Sequence, residues 1–302
     1  MRKLILALCA IATCGFARPA HAKLHVVTTI ETFADLAKRI GGDRVEVKAL
    51  SKGYMDPHFV QPKPSLVIQL NRADLLIRVG LQLEIGWLPP LVLGARNDKI
   101  QPGAQGDLNI STQIPLLDVP TVRINRGMGD IHPLGNPHYW LPPQNAKIIA
   151  SEIAARLKQL DPGGAKTYDA NLATFQTELE QHRKKWEQQA ASLRGMKVVT
   201  YHQSWSYVSQ WLGLVEVGYI EPKPGIPAPP SHIAALIGLM RSDGVRMLMM
   251  ESFYPRNVAD LVCSKAGAKT VVLPSDVGAD ASTGDYFSLV DQVIAKLIAG
   301  AR

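Results

Sequence analysis

The sequence predicts a two-lobed α/β protein with parallel sheets, its lobes joined by one long rigid helix. Three observations carry that reading. Short β-rich runs alternate with helical stretches on both sides of the chain's middle. One segment, from about Ala165 to Leu193, has no internal proline or glycine and keeps apolar residues at steps of three and four. After Gly195 the strand–helix alternation starts again. At about 1.5 Å per residue the long segment would reach roughly 40 Å, the span of a small domain. The expected division is a leader over residues 1–22, an N-terminal lobe over 23–163, a linking helix over 164–194 and a C-terminal lobe over 195–302.

In the first lobe, Leu24 to Thr29 is β-rich, and Glu31 to Ile40 has helical spacing and stops at Gly41-Gly42, a C-cap signal. Val45 to Leu50 reads as a second strand, Pro64 to Asn71 as a short helix and Leu75 to Val79 as a third strand. Gln144 to Leu160 is a helix with Ile148, Ile149, Ile153 and Leu157 on one face. His182 falls on the apolar stripe of the long helix and reads as a packed histidine.

The second lobe runs in the same way. Strands are expected at Met196 to Thr200, Leu214 to Ile220, Arg246 to Met250 and Thr270 to Leu273. Helices are expected at Ser204 to Leu212, His232 to Met240, Pro255 to Ala266 and Tyr286 to Ala299, and a proline-rich loop at Glu221 to Pro230.

Composition bounds the function. The chain has 302 residues, 46% of them hydrophobic and 20% charged, which suits a sizeable core. Met1 to Lys3 is basic, Leu4 to Phe16 is apolar, and Ala20-His21-Ala22 fits a small-x-small cleavage site. This reads as a secretory leader removed after Ala22. Loss of Arg2, Lys3 and Arg18 lowers the formal charge from +7 to +4, which gives no reason to invoke nucleic acid. Cys9 and Cys14 leave with the leader, so Cys263 stands alone and the mature fold has no disulfide staple.

The chemistry lies in four residues: His58 in DPHFVQPKPS, His138 in GNPHYWLPP, His202 in VVTYHQSW and Asp276 in VVLPSDVG. Each stands just past an apolar run or next to a proline. They are far apart in sequence, so only a large fold could gather them. Ligands of open α/β sheets sit outside the carboxyl ends of strands, and His202 and Asp276 each follow one closely. Two ligands from each lobe, meeting at the crevice, is the expected arrangement. Three imidazoles and a carboxylate suit Zn(II), whereas Mn(II) prefers more oxygen. Neither HExxH nor GxSxG occurs, though a secreted zinc-dependent hydrolase remains an alternative, with Glu251 as its base.

These stretches resemble the metal-binding solute-binding proteins of bacterial zinc and manganese ABC importers. The likeness rests on Asp56-Pro57-His58 with Pro64-Ser65, on Gly135-Asn136-Pro137-His138-Tyr139-Trp140-Leu141, on Tyr201-His202-Gln203-Ser204-Trp205 with Tyr207, and on Ser275-Asp276 with Gly284-Asp285-Tyr286. It runs through nearly the whole mature chain. It implies two β/α lobes joined by one helix, a metal between them, no enzymatic activity, and delivery to an ABC membrane permease, with a metallochaperone as a further partner and a monomeric state. A manganese-binding member is the alternative within the family. The chain departs from the zinc-type pattern in its short loop, Arg123 to Leu134, which carries one histidine, His132. That residue reads as a loop residue before a capture ligand. Glu251, where the family commonly has Glu-Pro, is the runner-up fourth ligand, with Asp276 then supporting from behind. Binding is expected to weaken as pH falls below the imidazole value of about 6.5.

Overall fold

The computed structural model describes residues 22–121, 132–221 and 225–302. The leader expected over residues 1–22 lies outside the described residues but for Ala22. Strands β1 (Leu24–Thr28), β2 (Val45–Ala49), β3 (Leu75–Arg78) and β4 (Asp107–Asn109) form a parallel sheet in the order β2-β1-β3-β4. Strands β5 (Lys197–Thr200), β6 (Val215–Tyr219), β7 (Met247–Glu251) and β8 (Lys269–Leu273) form a second, ordered β6-β5-β7-β8. The two orders are the same, and in each sheet the strand order reverses once, between β1 and β3 and between β5 and β7. Such a switch point opens a crevice at the carboxyl ends of its strands.

The helices that cover the sheets are α1 (Glu31–Gly41), α2 (Pro64–Arg72), α3 (Leu88–Ala95), α4 (Pro143–Leu160), α5 (Ala165–Gln189), α6 (Ser206–Leu212), α7 (Pro230–Ser242), α8 (Arg256–Ala266) and α9 (Tyr286–Ala301). Their ends follow from local chemistry. Four begin with proline at the first or second helical position, where the missing N–H costs nothing. α6 and α8 stop at Gly213 and Gly267, both left-handed. Asp285 and Ser288 close a reciprocal capping box on α9.

α5 has 25 residues and buries Tyr168, Phe175, Leu179 and Trp186 along one stripe. These side chains sit in one continuous apolar cluster that also takes in Phe33, Ile149, Val198 and Val290, so both lobes share a core. Each sheet packs its other face on a smaller cluster of its own. The long helix ends at Gln189 and a separate short turn, Ala191–Leu193, completes the stretch read as one helix.

Two elements, α3 and β4, were not expected. α3 carries two prolines and a glycine in eight residues, which hides it from any helical pattern, and β4 has only three residues on the sheet edge.

The seam between the lobes is closely fitted. A Cβ on Gly53 would collide with the backbone of Val277 and Ala279 in the opposite lobe. Across the same seam Tyr286 donates its backbone N–H to Asp35 at 3.0 Å, and Arg39 reaches Asp285 at 2.7 Å.

Candidate metal centre

The crevice gathers four imidazoles. Among the described residues, His58, His132, His138 and His202 each offer a ligand atom, and these atoms lie within 4.8 Å of one another. His202 lies two residues beyond the end of β5, at the switch point of the second sheet. His58 follows β2 in the first lobe. His132 and His138 come from the segment that leads into α4. The first lobe thus supplies three members and the second one, not two and two.

Each ring is aimed by an oxygen on its outer nitrogen. Asp56 Oδ1 accepts from the His58 backbone N–H at 2.9 Å and stands 2.7 Å from its Nδ1. Asn136 repeats the arrangement on His138, with both distances 2.9 Å. In both, an Asx side chain two residues upstream folds back over an intervening proline, an Asx turn that fixes backbone and ring together. His202 Nδ1 lies 3.1 Å from Glu221 Oε2. The His132 ring donates to the Leu81 carbonyl. Leu81 sits in a left-handed turn, Gly80 to Gln82.

An imidazole whose Nδ1 donates outward turns a lone pair inward on Nε2. The Nε2 atoms of His58 and His132 approach to 3.2 Å. With both rings protonated on their outer nitrogens, two lone pairs face each other there and a cation between them relieves the repulsion. With Zn–N bonds of about 2.0–2.1 Å, a tetrahedral site has N···N edges of roughly 3.3 Å, close to this separation.

Burial favours the neutral form of three of the rings, His132, His138 and His202. Desolvation, then the neighbouring imidazoles, push His138 well below its ordinary value and His132 down to about 3. Desolvation also lowers His202, against the opposing pull of Glu221. Neutral nitrogen is the form that binds metal.

Asp276 is not among the residues whose ligand atoms converge. Its carboxylate accepts the backbone N–H groups of Glu31 and Thr32 at 3.0 and 2.7 Å, the Thr32 hydroxyl, and its own neighbour Val277 N–H. It anchors the start of α1, where free N–H groups and the helix dipole favour an anion. Burial raises it to about 6 in spite of these donors. Glu251 ends β7 outside the group as well, fully buried and raised to about 8 by desolvation. His132 is the reverse case: expected as a loop residue, it stands with the other three rings. His182 packs on Trp186 and Phe287, remote from the centre.

Comparison with known proteins places this geometry. The chain is 26% identical over 286 residues to the manganese ABC transporter substrate-binding lipoprotein PsaA of Streptococcus pneumoniae, covering 92% of this chain and 89% of that one. It is 26% identical over 254 residues to the high-affinity zinc uptake system protein ZnuA of Bacillus subtilis (strain 168), covering 83% and 78%. Equal identity to a manganese and a zinc protein leaves the metal open. A crystal structure of ZnuA superposes with a TM-score of 0.74 at 25% identity, covering 93% of this chain and all of that one. No helix among the described residues is long and apolar enough to cross a membrane. These relatives are substrate-binding components and not enzymes, which removes the hydrolase alternative. Residues 26–300 match the family of the periplasmic zinc-uptake complex component A, and the chain belongs to that family of metal ABC transporter substrate-binding proteins.

Proposed function

We propose that this protein captures Zn(II) between its lobes and delivers it to an ABC permease. His58, His132, His138 and His202 are its ligands in this reading. Convergence of one ring nitrogen from each of four histidines, with an oxygen behind each ring, is the observation that supports it. An all-imidazole set favours zinc over manganese, which takes oxygen donors. Asp56 and Glu221 supply negative charge one bond further out and offset the cation's charge without entering its sphere. Residues 23–163 and 195–302 would act as the two lobes, with a leader cleaved after Ala22 and the mature protein in the periplasm.

The test is metal analysis of protein purified without added metal, followed by zinc–manganese competition calorimetry. Zinc bound at one equivalent, and not displaced by excess manganese, is expected. His132→Ala is expected to lower zinc affinity by about 10-fold or more, while His182→Ala leaves it unchanged. Preference for manganese, or parent-like zinc binding by His132→Ala, would overturn the four-imidazole reading.

A further inference from the structure

Next to the imidazoles lies a group of buried polar side chains outside the four-ring set. Ser204, Trp205 and Glu251 are buried at 7%, 1% and 2% exposure. Among the described residues, Ser204 Oγ, Trp205 Nε1 and Glu251 Oε2 each lack a partner at hydrogen-bond geometry. All three line one cavity of about 10 Å³, which His58 and His138 also line.

Three orphaned polar atoms around one void call for a single explanation. An unpaired buried polar group costs roughly 1–3 kcal/mol, and native proteins rarely carry three together. A buried water needs a space of about one water-sized sphere, some 10–15 Å³, and two to four polar partners. Size and partner number both fit here. The donor balance fits too, since the indole N–H can only donate, Glu251 Oε2 can accept, and the hydroxyl does either. Any larger ligand is excluded by volume.

We propose that this cavity binds one water molecule, held by Glu251, Ser204 and Trp205, and that the water ties the end of β7 to the segment carrying His202. Ser204 lies two residues from that histidine, and its backbone N–H already bonds the His202 carbonyl at 2.8 Å. The Thr200 hydroxyl bonds the same carbonyl at 2.7 Å. The water bridge fixes the far side of this turn to the core of the second sheet. Glu251 is then a positioning residue for His202. That consequence rests on His202 being a metal ligand, whereas the water itself does not.

A high-resolution crystal structure of the metal-free protein tests the water directly. A single spherical density peak within about 3.2 Å of all three atoms is expected. An empty cavity, or the three groups closing on one another, would overturn the site whether or not the protein binds zinc. Glu251→Gln keeps an acceptor for the water, and Glu251→Leu expels it. The leucine variant is expected to lose about 10-fold or more in zinc affinity, and the glutamine variant clearly less. Equal losses, or equal affinities, in two variants that both fold by circular dichroism would overturn the positioning role. A parent protein that fails to bind zinc would sink the metal reading instead, and the density would still decide the water.

Discussion

At the scale of single residues, the outer nitrogen of each ring matters as much as the inner one. Asn136 does two jobs: its Oδ1 holds His138, and its Nδ2 donates to the Gln203 carbonyl at 2.8 Å, next to His202. One amide thus couples the rings' supports from both lobes. Asn136→Ala is expected to cost about 10- to 100-fold in zinc affinity, read by competition with a chromophoric chelator. Parent-like affinity would mean that the rings hold their own orientation. This device was visible in the sequence as the twin D-P-H and N-P-H tripeptides. His58, His138 and His202 were legible because each follows a strand or sits beside a proline. His132 was not, since a histidine in a short loop has no pattern to mark it; only its place six residues before His138, across H-P-L-G-N-P-H, offered a signal. Asp276 carries a signal of a different kind. A carboxylate just past a strand looks the same in sequence whether it meets a metal or a helix N-terminus, and only the packing of α1 decides.

At the scale of elements, Asp276 and α1 form a latch between lobes. Asp276→Ala removes an acceptor from the N–H groups of Glu31 and Thr32, all buried or partly buried. A loss of about 1–3 kcal/mol in stability of the metal-free protein is expected, with zinc affinity much less affected than in His138→Ala. Equal affinity losses in the two variants would return Asp276 to the coordination sphere. Trp186 makes the comparable point for α5. It is fully buried in the shared core and donates its indole N–H to Asp291 of α9 at 2.7 Å. Trp186→Ala is expected to cost about 3–5 kcal/mol by chemical denaturation, through the cavity left in the shared core. The elements that carry these contacts were readable from periodicity, because long amphipathic helices and β-branched runs are set locally. α3 and β4 were not, because prolines and a three-residue strand become ordered only when neighbours supply their partners.

At the scale of the molecule, two like halves meet at their switch points. β1 and β5 each end in a buried threonine, Thr28 and Thr200, whose hydroxyl donates to the carbonyl two residues on. The first lobe puts Ile30 at that place and the second puts His202, so equivalent positions serve as core and as centre. Enclosing the rings in this seam also sets how the protein responds to acid. A free imidazole protonates near 6.5, and zinc binding would then fade below that pH. Here His132 is pushed down to about 3, and His138 and His202 are lowered as well, all chiefly by burial. Folded rings with lowered values bind fewer protons than unfolded ones between the two values. Acidification from about 6.5 therefore drains stability from the metal-free fold while those three ligands stay neutral. Glu251 and Asp276 act in the opposite sense, because their raised values let the folded state hold protons that the unfolded chain has released. The clean measure is thus zinc affinity, taken by chelator competition from pH 7.5 to 5. The expected curve is shallow through pH 6.5, with the steep fall displaced to more acidic pH than a set of free imidazoles would give. A loss between pH 7 and 6 with the slope of several protons would show that the seam does not shield the rings.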